Sequence, residues 1–176
     1  FDNITNNKFG DDAIGERQFF VDVTDAGTNS RFNHVSFLFR NTGPDDSVVS
    51  EIYFEDGTLL RIASLNNNVN ATFVDDSLAP PDLPGGNTLT PNFTATQAFS
   101  VDADNQPAEN GIGPEEHFEI IFDLQSGKDF DDVMQALTFP DSGDTLRIGL
   151  HVISFASGGS ESFVNNPVPL PAAAWL

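Results

Sequence analysis

One short stretch of the sequence brings together three carboxylates and an amide that could bind calcium. Asp102, Asp104 and Asn105 follow a strand-like run, and Glu109 comes a few residues later. Calcium takes six to eight oxygen ligands, which such side chains and the neighbouring carbonyls of a loop can supply. The spacing is not that of an EF-hand, whose closing Glu comes eleven residues after the first Asp. The stretch therefore predicts either a calcium site or a solvated acidic loop.

A second and weaker calcium candidate lies earlier in the chain. Asp22 and Asp25 stand close to Asn29, and they offer the same kind of oxygen ligand. Most of the remaining acidic residues in turn-like sequences are expected to be solvated, because Asp is a common turn residue. These turn residues are Asp11, Asp12, Asp45, Asp46, Asp75, Asp76, Asp141 and Asp144.

The sequence offers little support for catalysis. It contains no cysteine, which removes thiol nucleophiles, disulfides and thiolate zinc sites. His34, His117 and His151 are isolated along the chain, and no Gly-x-Ser-x-Gly elbow precedes a helix. Paired carboxylates serve glycosidases, but 27 acidic residues offer so many pairs that none stands out. We expect a protein that is not an enzyme.

The chain is strongly acidic, and this limits its partners. Seven Lys and Arg against 27 Asp and Glu give a formal charge of −20. With so few groups to neutralise phosphates, we expect no binding to nucleic acid or to an anionic membrane surface. Self-repulsion also opposes assembly unless cations screen it, which is a second reason to expect calcium as a cofactor.

Short strands are expected to position these residues. Phe19, Val21 and Val23 alternate with more polar residues, as do Val35, Phe37 and Phe39. Further runs rich in Phe, Val and Ile cover 48–55, 59–65, 71–74, 98–101, 118–124 and 146–155, between Gly, Pro, Asn and Asp clusters.

Eight or nine strands at this spacing predict an all-β fold, an antiparallel β-sandwich of jelly-roll or immunoglobulin-like type. The length of 176 residues suits one domain, which we place at 1–166. The Asp56-Gly57 step predicts a β-hairpin between the two runs that flank it. One short helix is expected near 129–137, because Phe130, Val133, Met134 and Leu137 have helical spacing and Asp129 is a suitable N-cap.

The last residues have a different character. Val168-Pro169-Leu170-Pro171 should be extended, because each proline fixes φ and lacks a backbone donor. The apolar run that follows, through Trp175 and Leu176, looks like the first turn of a membrane helix. Residues 168–176 resemble the start of a PEP-CTERM sorting signal of the VPLPA type. In that family an exosortase-type membrane protease recognises the signal on exported proteins of Gram-negative bacteria.

Several segments of the body are also similar to a family of PEP-CTERM proteins that has no assigned activity. They are residues 1–7, 41–44, 83–87, 147–152 and 158–166. The resemblance implies a secreted protein, extracellular or at the cell surface, with 167–176 as a remnant of the sorting signal. Phe1 is then expected to be a mature N-terminus left after signal peptidase.

These observations lead to one expected function and one alternative. We expect a structural protein of a biofilm or exopolysaccharide matrix, a homo-oligomer or filament subunit joined through its termini and aided by calcium. The donor segments would be residues 1–8 and 170–176, which could add strands to a neighbour. The alternative is a carbohydrate-binding, lectin-like module, since PEP-CTERM proteins accompany exopolysaccharide. Sugar platforms usually use Trp or Tyr, which are here limited to Trp175 and Tyr53.

Overall fold

The alternating runs form strands because every second side chain of an extended chain faces the same way, so that one face can be buried. The computed structural model describes residues 1–29, 31–75, 82–96, 100–138 and 145–165. They form two antiparallel sheets packed face to face, which confirms the expected all-β sandwich. This part of the chain has ten strands and three α-helices, where eight or nine strands and one helix were expected.

The order of the elements along the chain defines the labels used below. The strands are β1 Asp2–Asn3, β2 Phe19–Thr28, β3 Asn33–Asn41, β4 Val48–Asp56, β5 Leu60–Asn66, β6 Phe73–Asp75, β7 Ser100–Ala103, β8 His117–Leu124, β9 Leu146–Ile153 and β10 Glu161–Val164. The helices are α1 Asp11–Gln18, α2 Pro107–Asn110 and α3 Phe130–Thr138, with a 3-10 turn at Gly86–Thr88. Sheet A has the order β1-β10-β9-β4-β7-β6, and sheet B the order β2-β3-β8-β5.

Phenylalanine rings fill the space between the sheets. Phe54 of sheet A meets Phe122 of sheet B edge to face with ring centroids 4.9 Å apart, and it meets Phe37 in the same way at 5.6 Å. All three rings are almost completely buried. Burial of such a side chain contributes about 1.5–3 kcal/mol, so this cluster holds the two sheets together.

The hairpin predicted at Asp56-Gly57 is wrong. β4 pairs with β7 and β9 in sheet A, whereas β5 pairs with β8 in sheet B, so the turn crosses from one sheet to the other. The Asp56 carboxylate accepts the backbone N–H groups of Leu59 at 3.2 Å and Leu60 at 3.0 Å. Both leucines are fully buried. Their burial takes the chain into the core instead of back along β4.

The helix expected near 129–137 is confirmed as α3. The Asp129 side chain accepts the N–H groups of Asp131 at 3.0 Å and Asp132 at 3.2 Å, as an N-cap does. On the inner side of α3, Val133 and Ala136 are buried against the core. The capping residue and the apolar spacing were therefore sufficient signals for this element.

Helices α1 and α2 were not expected from the sequence. In α1 the apolar residues do not form a stripe, and no side chain caps its first turn, which follows Gly10. The helix packs instead through Gly15, where a Cβ atom would overlap the ring of Phe163 in β10. Tertiary contact rather than local pattern thus determines this element.

The outer face of sheet A is partly covered by the segment 82–96. Leu83 and Phe93 of this segment pack with Tyr53 of β4 and Val164 of β10 in a second apolar cluster. Gly149 allows the close approach, because a Cβ there would lie 2.7 Å from Leu83 Cδ2. No helix within the described ranges has the length and apolar character needed to cross a membrane.

Candidate functional site

The first calcium candidate is divided among three elements. Asp102 lies on β7, directly opposite Glu51 of β4. Asp104 and Asn105 form the turn after β7, where the Asn105 amide donates to Asp104 Oδ1 at 2.5 Å. Glu109 is exposed on α2. The structure thus joins Asp104 to Asn105 but sets Asp102 on the sheet and Glu109 on a helix.

The second calcium candidate is also dispersed. Asp22 of β2 forms an ion pair with Arg40 of β3, with Nε and Oδ2 2.8 Å apart. Asp25 accepts the Gly27 N–H at 2.8 Å and thereby shapes the bulge in β2. Over the ranges that the structure describes, no group of three or more His, Asp or Glu side chains is placed to hold a metal ion. Calcium binding stays a prediction.

A row of polar side chains that the sequence did not suggest crosses the outer face of sheet A. Glu51 lies between Asp102 on β7 and His151 on β9 in the ladder. Its carboxylate is 2.9 Å from His151 Nδ1 and also accepts the Tyr53 hydroxyl. Burial opposes ionisation of Glu51, but these hydrogen bonds and the nearby His151 outweigh it and lower its pKa. These residues are far apart in the sequence, so only the register of the strands shows that they lie side by side.

Ser162 of β10 continues this row next to His151, which invites comparison with a catalytic triad. The geometry does not support that role. Ser162 is fully buried, and its hydroxyl makes no hydrogen bond with any described residue, His151 included. A substrate would have no access to this hydroxyl, so Ser162 is not assigned as a nucleophile.

The N-terminal segment, residues 1–8, closes the edge of sheet A. Asp2 and Asn3 pair with Val164 and Phe163 in antiparallel register. Ile4 continues the pairing, since its N–H donates to the Ser162 carbonyl at 2.9 Å. Thus the strand β10, which would otherwise stand at the edge, is covered by a segment from the opposite end of the chain.

The carboxylate of Glu161 anchors this segment. It accepts Thr5 Oγ1 at 2.5 Å, the Lys8 N–H at 2.7 Å and Asn3 Nδ2 at 3.3 Å, and the Asn7 backbone contributes a further hydrogen bond. Glu161 is only 1% exposed. Burial alone would raise its pKa, but the hydrogen bonds outweigh it and hold the pKa of Glu161 below its usual value. The carboxylate therefore binds the segment in its charged form.

The edge of sheet B has a different character. Within the described residues β2 pairs only with β3, so its other side is open. Val21 and Val23 face the core but remain half-buried, whereas their partners Phe39 and Phe37 are completely buried. Phe20, which precedes Val21 and lies on the outer face of the sheet, is 47% exposed. β2 is therefore an edge strand that the described chain leaves accessible, with exposed apolar surface at Phe20 and exposed carboxylates at Asp22 and Asp25.

The backbone of β2 presents hydrogen-bonding groups to this open side. The Thr42 N–H donates to the Gln18 carbonyl at 2.9 Å, which makes Phe19 and Asn41 a non-hydrogen-bonded pair. Because the pattern alternates, the N–H and C=O groups of Val21 and Val23 point away from β3. These groups are those to which an added strand would bind.

A cavity of about 440 Å³ lies on the outer face of sheet B, at the end where β3 pairs with β8. Arg40, which pairs with Phe20 across the ladder, is one of its walls, and His117 is another. Thr42, Glu115 and Glu116 add further polar groups, and the remaining walls are Leu38 and Asn41. Hydrogen-bonding groups gathered around a cavity are an arrangement that can bind a polar ligand such as a sugar.

The residues assigned to sorting and assembly lie outside the described residues. They are Val168, Pro169, Leu170, Pro171, Trp175 and Leu176. Comparison with known proteins found no matching family model, no matching curated protein and no matching solved structure. The resemblance to PEP-CTERM proteins therefore stays a prediction.

Proposed function

We propose that this chain is an exported structural protein of an extracellular matrix, such as a biofilm or exopolysaccharide layer, and that its copies assemble through β2. The observation that carries the proposal is the open edge of sheet B. Val21 and Val23 direct backbone groups outward there, and Phe20 adds exposed apolar surface. Long edge strands of this kind are ready templates for pairing with another chain.

Export is supported by the sequence alone, through the resemblance of 168–176 to a sorting signal. Assembly is supported by the edge geometry, because a strand added at β2 gains main-chain hydrogen bonds and a side-chain contact at Phe20. If two β2 strands pair with each other, the contact is two-fold and gives a dimer. A filament then needs a second contact elsewhere on the molecule.

Cations are expected to help this assembly. Each copy carries a formal charge of −20, so copies repel one another at low salt. Asp22 and Asp25 lie on β2 itself, so pairing would bring acidic residues of two copies together. Calcium bound between them, or simply concentrated around them, would reduce this repulsion.

Light scattering together with electron microscopy tests the proposal. The full chain is measured with calcium, with a chelator, and with sodium chloride at matched ionic strength. Dimers or filaments that a chelator dissolves would support assembly through the acidic edge. Assembly that sodium chloride supports equally well would assign the effect to screening, and a monomer in all three solutions would contradict the proposal.

A second candidate function is carbohydrate binding, and the polar cavity that Arg40 and His117 line favours it. Arg40 and His117 could donate hydrogen bonds to sugar hydroxyls, and Glu115 or Glu116 could accept them. Screening on a glycan array tests this function. Binding that the double variant Arg40→Ala/His117→Ala abolishes would support it, whereas binding unchanged in that variant would place any sugar site elsewhere.

A further inference from the structure

We propose that the N-terminal segment, residues 1–8, is exchanged between copies, so that the segment of one copy closes the β10 edge of another. This inference rests on the proposed function, because it supplies the second contact that a filament requires. It identifies the partner at β10 as a second copy of this chain. The contacts that the segment makes within its own chain show what the β10 edge binds.

The β10 edge recognises the segment through its backbone and through specific side chains. Main-chain pairing runs from Asp2 to Ile4, and the Ser162 N–H donates to Thr5 Oγ1 at 2.9 Å. Asn7 Nδ2 donates to the Ser160 carbonyl at 2.8 Å. Ile4 packs at the margin of the second apolar cluster. An identical segment from another copy would satisfy every one of these contacts.

Glu161 makes the recognition specific. Its carboxylate is buried, and the hydrogen bonds that hold it come from Asn3, Thr5, Asn7 and Lys8. A buried charge is costly unless hydrogen bonds satisfy it. When the segment leaves, Glu161 loses these donors, so the open edge is a high-energy state that favours renewed binding of the same sequence.

The connection between the segment and α1 has the properties of a hinge. Phe9 is completely exposed, and Gly10 has a φ of 92° with no neighbouring atoms that would contact a Cβ. A glycine in this region of φ can change conformation with little steric cost. Exchanged copies would bring their hinges near one another, and the exposed ring of Phe9 could then be covered.

Exchange between identical copies creates no new kind of contact, which is why it is a low-cost route to assembly. The segment competes with its own tethered copy, whose effective concentration is in the millimolar range. Exchange is therefore expected only at high protein concentration, as in a matrix, and it should become faster when the bonds to Glu161 are weakened.

The absence of cysteine allows a direct test. One batch of the chain carries Asp2→Cys and a second carries Val164→Cys, two positions that face each other across the ladder. A hydrogen-bonded antiparallel pair places its Cα atoms about 5.5 Å apart, which suits a disulfide. One batch is labelled with heavy isotopes, the batches are mixed near millimolar concentration under mild oxidation, and covalent heterodimer is distinguished from homodimers by intact-mass spectrometry.

The matched control mixes Asp2→Cys with Val74→Cys, an exposed position on β6 at the other edge of sheet A. The double variant Asp2→Cys/Val164→Cys in one chain verifies that the pair can close, because it should form an internal disulfide when dilute. We expect heterodimer from the first mixture well above the control. Placing Glu161→Gln in both batches should accelerate formation of the heterodimer about tenfold, because the closed state then loses hydrogen bonds between residues 1–8 and the Glu161 carboxylate.

Heterodimer no more abundant than in the control, from chains whose double variant closes internally, would overturn the exchange. That outcome would leave the proposed function standing if the wild-type chain still forms dimers through β2. Conversely, exchange of the segment in a chain that does not assemble through β2 would support this inference and contradict the proposed assembly through β2. The two proposals therefore fail separately.

Discussion

The two sheets end in edges of opposite design. The β10 edge of sheet A is closed by residues 1–8, whose polar groups converge on the buried Glu161. The β2 edge of sheet B is ten residues long, and it is modified only by charged side chains and a bulge near Asp25. One edge is covered by specific partners, and the described residues leave the other accessible apart from electrostatic protection.

If copies assemble through β2 as proposed, this difference would let one sandwich combine a stable body with a surface for contacts between copies. Satisfying a buried carboxylate demands several donors in fixed positions, so the β10 edge accepts one particular sequence. Backbone pairing at β2 demands only an extended strand, so it is less selective and depends on charge and concentration. Substitutions at the two edges, together with a change of pH, test this difference.

The largest effect is expected where α1 supports the closed edge. Gly15→Ala would force a methyl group into the ring of Phe163, which is fully buried in β10. Overpacking of this kind typically costs about 1–3 kcal/mol of unfolding free energy and occasionally more, and the overlap of the new methyl group with several atoms of the Phe163 ring places this variant at the upper end. Urea denaturation of the variant and the wild type measures the difference.

Helix propensity predicts the opposite sign at the same position, because Ala is favoured over Gly by about 1 kcal/mol in a helix. Ala13→Gly on the exposed side of α1 is the matched control, and it should lose only this propensity. A gain in stability from Gly15→Ala would show that α1 does not pack on β10 as described.

Glu161→Gln should have the next largest effect. The amide keeps the shape of the side chain but turns a donor toward Asn3 and Thr5, and it removes the charge that the hydrogen bonds stabilise. Loss of buried hydrogen bonds should cost about 1–3 kcal/mol. Glu109→Gln, an exposed site on α2, is the control. Equal unfolding free energies for the two variants would show that Glu161 does not stabilise the β10 edge.

Stability should fall as the solution becomes acidic. Burial opposes ionisation of Glu161 and Glu51 but is outweighed by hydrogen bonds, while Glu119 is affected mainly by hydrogen bonds from Ser36 and Asn66; all three pKa values are lowered. Each group therefore stabilises the fold fully above its unfolded pKa of about 4.3, and loses that contribution as the pH falls through its folded pKa.

Urea unfolding at a series of pH values from neutral to 3 checks this dependence. The Glu161→Gln variant should lose less stability over the acid range than the wild type, since one of the three groups is absent. Equal losses would mean that Glu161 does not titrate in the predicted sense.

Of these substitutions, Asp22→Asn should change the unfolding free energy least, and its main effect should be on assembly. Asp22 and Arg40 are both about half exposed, and such surface ion pairs are worth about 0–1 kcal/mol. The substitution removes a charge that discourages pairing at β2, so the dimer fraction at a given concentration should rise. Sedimentation velocity in sodium chloride with a chelator measures this fraction, because in calcium Asp22 could also act as a ligand between copies. Without calcium, a dimer fraction lowered by the change would contradict edge pairing at β2.

The parts of the fold that follow from local pattern could be predicted. The alternation of Val35, Phe37 and Phe39 placed β3 correctly, and Asp129 with the spacing of Val133 indicated α3. Both signals depend on residues close in sequence. The coarse fold class followed from many such runs, although the number of strands was slightly underestimated.

Features that depend on distant residues could not be predicted. The Asp56-Gly57 step is as compatible with a hairpin as with the observed crossing between the two sheets. Only the burial of Leu59 and Leu60 in the core separates β4 from β5. Helix α1 depends on Phe163, which lies far away in the sequence. Glu161 has no partner within its own neighbourhood in the sequence, so its role at the β10 edge becomes visible only when residues 1–8 are in place.

The most direct test of the account compares Phe20→Lys with Val69→Lys. Both substitutions replace an exposed apolar side chain and add one positive charge, but only Phe20 lies on β2, and Val69 is completely exposed outside the strands. A lysine on an edge strand blocks pairing. Light-scattering mass in calcium should fall to that of a monomer for Phe20→Lys and remain at that of the wild-type assembly for Val69→Lys. Equal masses for both variants would contradict assembly through β2.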